Sequence, residues 1–233
     1  MGDATSFVPL TSQKAHRLKG PRMQIDSFDD ILEHKIRARL AEFEPVSVTR
    51  PDLRQAAVAI IVMQNPDTGA PSIVLTLRPA TMNRHAGQYA LPGGRLDAGE
   101  TQAGAALREV REEVGLSLQE ADILGQLDDF ETCSGFRITP FVLWGGSGQV
   151  LDPDPTEVEA VFFVPFTELN SPDIPQMHAW QTGEKPVPSA YIPTLGHNIF
   201  APTAAMLFQF REIALRGKAT RVSDFEQPSF TWS

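Results

Sequence analysis

Three glutamates, Glu109, Glu112 and Glu113, stand at i, i+3 and i+4 of a segment with helical periodicity. At that spacing they share one helix face. Such a face is ordinarily solvated charge. Here it comes with a glycine-rich loop, Gly93-Gly94, whose backbone can approach a ligand closely, with Glu100 upstream and with Arg108 adjoining. Crowded carboxylates repel one another, and hard divalent cations relieve that repulsion. Oxygen donors at this density suit Mg²⁺ or Mn²⁺, which share their coordination shell with phosphate oxygens. A second group lies upstream: Arg78, Arg84, His85 and Gln88 occupy a basic loop that returns to the glycines. Guanidinium groups there could bind phosphate beside a metal.

The elements that must position these groups can be read from periodicity. Thr101 to Val114 is predicted to be a helix with an apolar stripe of Ala103, Ala106, Leu107, Val110 and Val114, stopped by Gly115. The three carboxylates are expected to point away from that stripe. Before it, Ala57 to Met63, Ser72 to Leu77 and Gln88 to Leu91 read as strands, the first two joined by a turn at Asn65 to Gly69. After it, strands are expected near Ile123 to Phe130, Phe136 to Trp144 and Val158 to Phe163. Ser27 is the expected cap of a first helix running to about Phe43. Pro202 opens a last helix ending near Gly217. Ser171 to Pro193, rich in Pro and Gly, reads as connection. The organisation is a 1–26 N-terminal arm, one domain over 27–217 and an arm-like 218–233 tail. Strands with interspersed helices predict a mixed sheet flanked by helices, an α/β (α+β) class.

Bulk properties narrow the partners. At 233 residues the chain can bury one sizeable core. Twenty-nine acidic against 20 basic residues leave a net charge of −9, which argues against nucleic acid or an anionic membrane as main partner. A small anionic substrate stays compatible with it, because metal ions reverse the local field. The single cysteine, Cys133, precludes an internal disulfide and suits a reducing, cytoplasmic setting. No apolar run approaches the roughly 20 residues of a membrane span, and residues 1–20 lack the continuous apolar stretch of a secretory signal. A homodimer is left open.

From Gly94 to Leu116 the sequence resembles the Nudix box: a glycine, five residues, Glu100, seven residues, Arg108-Glu109, an aliphatic, one residue, Glu112-Glu113, one residue, Gly115 and an aliphatic. All nine defined positions match over 23 residues. The resemblance implies a Nudix α/β/α sandwich with a mixed β-sheet between helices, and metal-dependent hydrolysis of a diphosphate. It implies Glu112 and Glu113 as main metal carboxylates, Glu109 as a further ligand or the water-activating residue, and the Gly94 carbonyl as another ligand. Glu100 and Arg108 become a structural ion pair. The family's general base varies in position, and Glu157 and Glu159 are candidates for it.

The segment Leu75 to Gly94 further resembles the coenzyme A pyrophosphatase branch, with Leu-Thr-Leu-Arg78, then His85-Ala-Gly-Gln88, then Leu91-Pro-Gly-Gly94. Asn83 stands where the branch has its second arginine, and Leu91 where it has an aromatic. Segments at Ser134 to Pro140, Glu157 to Pro165 and Ile199 to Ala204 continue the likeness. This resemblance implies coenzyme A or its thioesters as substrate, giving 3′,5′-ADP and 4′-phosphopantetheine species. ADP-ribose, NADH or another nucleoside diphosphate derivative is the alternative within the family. A catalytically weak, nucleotide-sensing Nudix protein is the alternative outside catalysis.

Overall fold

The computed structural model describes residues 27–80, 87–178, 185–225 and 227. Chain order runs α1 (Asp30–Ala41), β1 (Arg54–Gln64), β2 (Pro71–Leu77), β3 (Tyr89–Ala90), β4 (Gly93–Arg95), α2 (Gln102–Val114), β5 (Ile123–Gln126), β6 (Phe130–Glu131), β7 (Phe136–Gly146), β8 (Ala160–Pro165), α3 (Phe166–Leu169), β9 (Gln176–His178), β10 (Val187–Ile192), β11 (His197–Phe200) and α4 (Thr203–Phe210), which continues as a π-turn over Arg211–Leu215.

The eight strands from β1 to β8 form one mixed sheet of order β3-β2-β1-β7-β5, with β4 on β1, β6 on β7 and β8 on β2. The β1–β7 pair is parallel, and the other pairs are antiparallel. A central strand covered on both faces must be apolar at every position rather than at every second one. The run from Ala56 to Met63 meets that requirement. Its even positions, including Ile60 and Val62, join a core with α1 and α4. Its odd positions, Ala57, Ala59, Ile61 and Met63, join a second core under α2. The sheet therefore lies between helices, an α/β arrangement as the residue pattern predicts.

Several boundaries depart from expectation. The cap of α1 is Asp29, whose carboxylate accepts the Leu32 N–H at 2.8 Å, while Ser27 Oγ only donates to that carboxylate. A carboxylate both accepts the free amide and complements the helix dipole. The strand expected over Ile123 to Phe130 is split in two. The break holds two buried carboxylates. Asp128 accepts the Val46 N–H, and Asp129 accepts the Val48 N–H and the Thr139 hydroxyl. They stitch the extended 44–50 segment to the sheet. The proline-rich stretch is not all connection: β9 and β10 pair within it and join β11 in a separate three-stranded antiparallel sheet. Part of the expected tail packs down as well. Val222 is buried, and Arg221 bonds Asp128 at 2.7 Å. No helix among the described residues is long and apolar enough to cross a membrane.

Candidate active site

Helix α2 carries the chemistry, and both its ends are anchored. Thr101 Oγ1 accepts the Gly104 N–H at 3.0 Å to start it. Gly115, at φ +70°, ends it, and a Cβ there would lie 2.6 Å from the Asp152 carbonyl oxygen. Ala105, Ala106, Val110 and Val114 press the helix onto the odd face of the sheet.

The three helix glutamates do not act as one face. Successive helix residues are turned by about 100°. Glu113 therefore falls at the edge of the apolar stripe and is buried, Glu109 is half-buried, and Glu112 is exposed. The expectation that all three carboxylates stand clear of the stripe is corrected at Glu113. Glu112 sits on Arg108 at 2.8 Å, on the outer side. The group that converges is Glu109, Glu113 and Glu157, each offering one oxygen, all within 4.8 Å of one another.

Glu157 arrives from the loop after β7. Asp154 shapes the turn by accepting the Thr156 N–H and hydroxyl. The loop docks on the end of α2 through Asp152 N–H to the Val114 carbonyl and Asp154 N–H to the Glu113 carbonyl, at 3.0 and 3.1 Å. Glu159 leaves this group: its amide donates to the Leu77 carbonyl and it lies exposed at the entry to β8. The Asp-Pro-Asp-Pro-Thr turn chemistry was visible in the sequence. Its docking on α2, which selects Glu157 over Glu159, was not.

Gly93 and Gly94 run beside the carboxylates. A Cβ on Gly94 would fall 2.1 Å from Glu109 Oε1, so the carboxylate lies directly on the glycine backbone. Burial raises the pKa of Glu109 while Arg108 opposes it. Burial pushes Glu113 up to about 8; Arg78 pulls it down, and Glu109 and Glu157 push it further up. Burial and mutual repulsion disfavour the charged form of these acids, and a divalent cation among them would offset both. Three hard oxygen donors around one point, two of them proton-hungry, fit a divalent cation.

Arg108 organises the rim. It donates to both Glu100 oxygens at 2.9 and 3.1 Å, to Glu109 and Glu112 at 2.8 Å, and to the Arg95 carbonyl at 2.9 Å. Glu100 is in turn held below the usual carboxylate range, mainly by Arg108. Glu100→Ala is therefore expected to lower activity about tenfold and the melting temperature by a few degrees, because Arg108 loses its two-pronged anchor. Unchanged melting and unchanged kinetics would exclude this role.

Arg78 lies just past β2, with one guanidinium nitrogen 3.6 Å from Glu113 Oε1 and a buried Nε that has no hydrogen-bond partner among the described residues. Its backbone closes the following loop through bonds to Gln88 and Gly87. Arg84 and His85 lie outside the described residues. Arg78, Gln88 and Gly93 also line a cavity of about 400 Å³ that continues over the even face of the sheet. Its walls include Tyr89, Phe136 and Ile138 on one side and Phe200 and Met206 on the other. The last strand of the second sheet and the entry to α4 supply one wall of it, through residues such as Ile199 and Thr203.

The NUDIX domain family matches residues 53–183, which contain α2, the Gly93-Gly94 loop, Arg78 and Glu157 but not the β11 and α4 residues that line the cavity. The chain belongs to that family. An uncharacterized Nudix hydrolase, NudL, of Cronobacter sakazakii is 40% identical over 124 residues, covering 49% of this chain and 59% of the relative. Nudix hydrolase 3 of Caenorhabditis elegans is 35% identical over 133 residues, 55% of each chain. This NUDIX chain thus spans a little over half the length of these relatives. A MutT/nudix family protein from Enterococcus faecalis is a solved structure with 16% identity and TM-score 0.49, covering 78% of this chain and 73% of that one.

Proposed function

We propose that this protein hydrolyses a diphosphate linkage with the help of Mg²⁺ or Mn²⁺, and that its substrate is coenzyme A or a coenzyme A thioester, split into 3′,5′-ADP and a 4′-phosphopantetheine species. The observation that carries this is the continuity of an oxygen-donor group, an underpaired arginine and an apolar cavity. Glu109, Glu113 and Glu157 converge, Arg78 lies 3.6 Å from Glu113, and Arg78 and Gly93 also line the cavity.

The chain's own groups divide the work. Glu109 and Glu113 hold the cation, with Glu157 beside them serving the same ion or the attacking water. A bound divalent cation neutralises phosphate oxygens and lowers the pKa of water. Arg78 has a free donor and a weak, long contact to Glu113, so it turns toward a phosphate with little loss. Arg108, held by five acceptor atoms on four residues, keeps α2 and the Gly94 loop in register. The cavity takes one uncharged part of the substrate and excludes water around it. Glu112, which the family resemblance puts among the metal carboxylates, is left with an outer role on Arg108 unless metal binding draws it in.

Glu157→Gln is expected to cut turnover by about a hundredfold, whereas Glu159→Gln should stay within about threefold of the parent. Steady-state rates on one substrate at fixed Mg²⁺ compare them, and equal effects would remove Glu157 from the site. The substrate is tested by side-by-side turnover of coenzyme A, dephospho-coenzyme A, ADP-ribose and NADH with each metal. A clear preference for ADP-ribose or NADH replaces the substrate while keeping the reaction. No turnover of any of them with either metal would point to a nucleotide-sensing role.

A further inference from the structure

Two exposed arginines stacked on the cavity-lining Phe136 have no acidic partner among the described residues. Arg54 opens β1 and Arg95 closes β4. In strand register Arg54 faces Phe136, while Ala56 faces both Arg95 and Ile138. Side chains alternate along a strand, so Arg54 and Arg95 emerge on the face that also presents Val58, Phe136 and Ile138 to the cavity.

Both guanidinium carbons lie over the one Phe136 ring, 3.9 Å and 5.2 Å from its centroid. The Ser134 carbonyl fixes Arg54 further, at 2.7 Å. Stacking occupies the flat faces of the guanidinium groups and leaves most N–H edges available. Among the described residues neither arginine makes an ion pair. Arg50, Arg108, Arg137, Arg216 and Arg221, by contrast, are all tied to carboxylates. Both side chains are exposed, and in a chain of net charge −9 Phe136 holds two guanidinium groups side by side with no carboxylate between them among the described residues.

We propose that Arg54 and Arg95, clamped on Phe136, bind a phosphomonoester of the substrate separate from the diphosphate being cleaved. This extends the coenzyme A reading above and rests on it, the group being the 3′-phosphate of the nucleotide half. Arg78 is committed to the carboxylate end, beside Glu113. The rim pair is a distinct anion site across Gly93 and Gly94. Two guanidinium forks give a dianionic phosphate more donors than a hydroxyl in its place could use. The site therefore discriminates by the presence of that phosphate and leaves the bond to be broken to other residues.

Calorimetric binding of 3′,5′-ADP and 5′-AMP to the intact protein, with Mg²⁺ present, tests this apart from turnover. The parent should bind 3′,5′-ADP roughly tenfold more tightly. Arg54→Ala with Arg95→Ala should bring that ratio close to one, and Arg54→Lys alone should keep part of it. A ratio near one in the parent, or an unchanged ratio in the double variant, overturns the proposal. If coenzyme A is not hydrolysed while the ratio and its loss persist, the substrate reading fails and the phosphate site stands. If coenzyme A is hydrolysed with a ratio near one, the reverse holds.

Discussion

Glu113→Gln is expected to reduce turnover roughly a thousandfold while making the metal-free protein more stable at alkaline pH. The reason is where the carboxylate sits. It is buried at the edge of the stripe that seats α2, and burial with Glu109 and Glu157 nearby lifts its pKa from 4.5 to about 8. Between those two values the folded chain keeps a proton that the unfolded chain has released. Without a cation, stability is therefore highest below the lower value and falls as pH rises through the window. The loss amounts to a few kcal/mol at most. A divalent cation takes the place of the proton and reverses the trend, because binding only to the folded state adds stability. Glutamine imitates the protonated side chain, so the variant should show a flatter pH dependence in chelator and little stabilisation by Mg²⁺. Melting temperatures on either side of the window, in chelator and in Mg²⁺, measure all of this. A variant as responsive to Mg²⁺ as the parent, or one that retains turnover, would dismiss Glu113 as the centre of the site.

The second large effect separates two adjacent glycines. On Gly94 a methyl group would meet the end of the Glu109 side chain, at 2.1 Å from Oε1 and 2.5 Å from Cδ. That side chain can rotate away, so Gly94→Ala should fold with close to the parent's stability. The carboxylate would leave its place, and activity should drop by about a hundredfold or more, since ångström-scale displacement of a reacting group is costly. On Gly93 the same methyl would lie 2.4 Å from the Ala57 carbonyl oxygen and 2.6 Å from the Val58 Cα. Backbone in the central strand cannot yield in that way. Gly93→Ala should cost about 1–3 kcal/mol or more of stability before any question of activity arises. Thermal melts together with rates on the same substrate distinguish the two. If Gly94→Ala were as unstable as Gly93→Ala, or fully active, the contact between Gly94 and Glu109 would be wrong.

Much of this was legible in residue types and spacing. The run Ala57 to Met63 reads as a strand from its β-branched residues and the turn that follows, and the structure buries it on both faces. Thr101 and Gly115 bound α2, since a hydroxyl satisfies a free amide at one end and only glycine accepts φ +70° against Asp152 at the other. The pairing of Glu100 with Arg108 was given by the family resemblance, and Arg108 bonds both Glu100 oxygens. What tertiary structure decided is of another kind. Whether Glu109 or Glu112 turns inward depends on the angle at which α2 seats on the sheet, because the two are only about 60° apart around the helix. Glu157 joins the group only because its loop hydrogen-bonds to the carbonyls of Glu113 and Val114. One wall of the cavity comes from β11, which pairs with β10 and through it with β9 across a proline-rich stretch that carries no local periodicity. Arg54 and Arg95 are 41 positions apart in the chain and meet over Phe136 because three strands lie side by side. Contacts within one helical turn are written in the sequence by steric rules that act locally. Contacts between distant segments exist only after the sheet has fixed its register, and it is these that choose which acids meet and where the remote phosphate would sit.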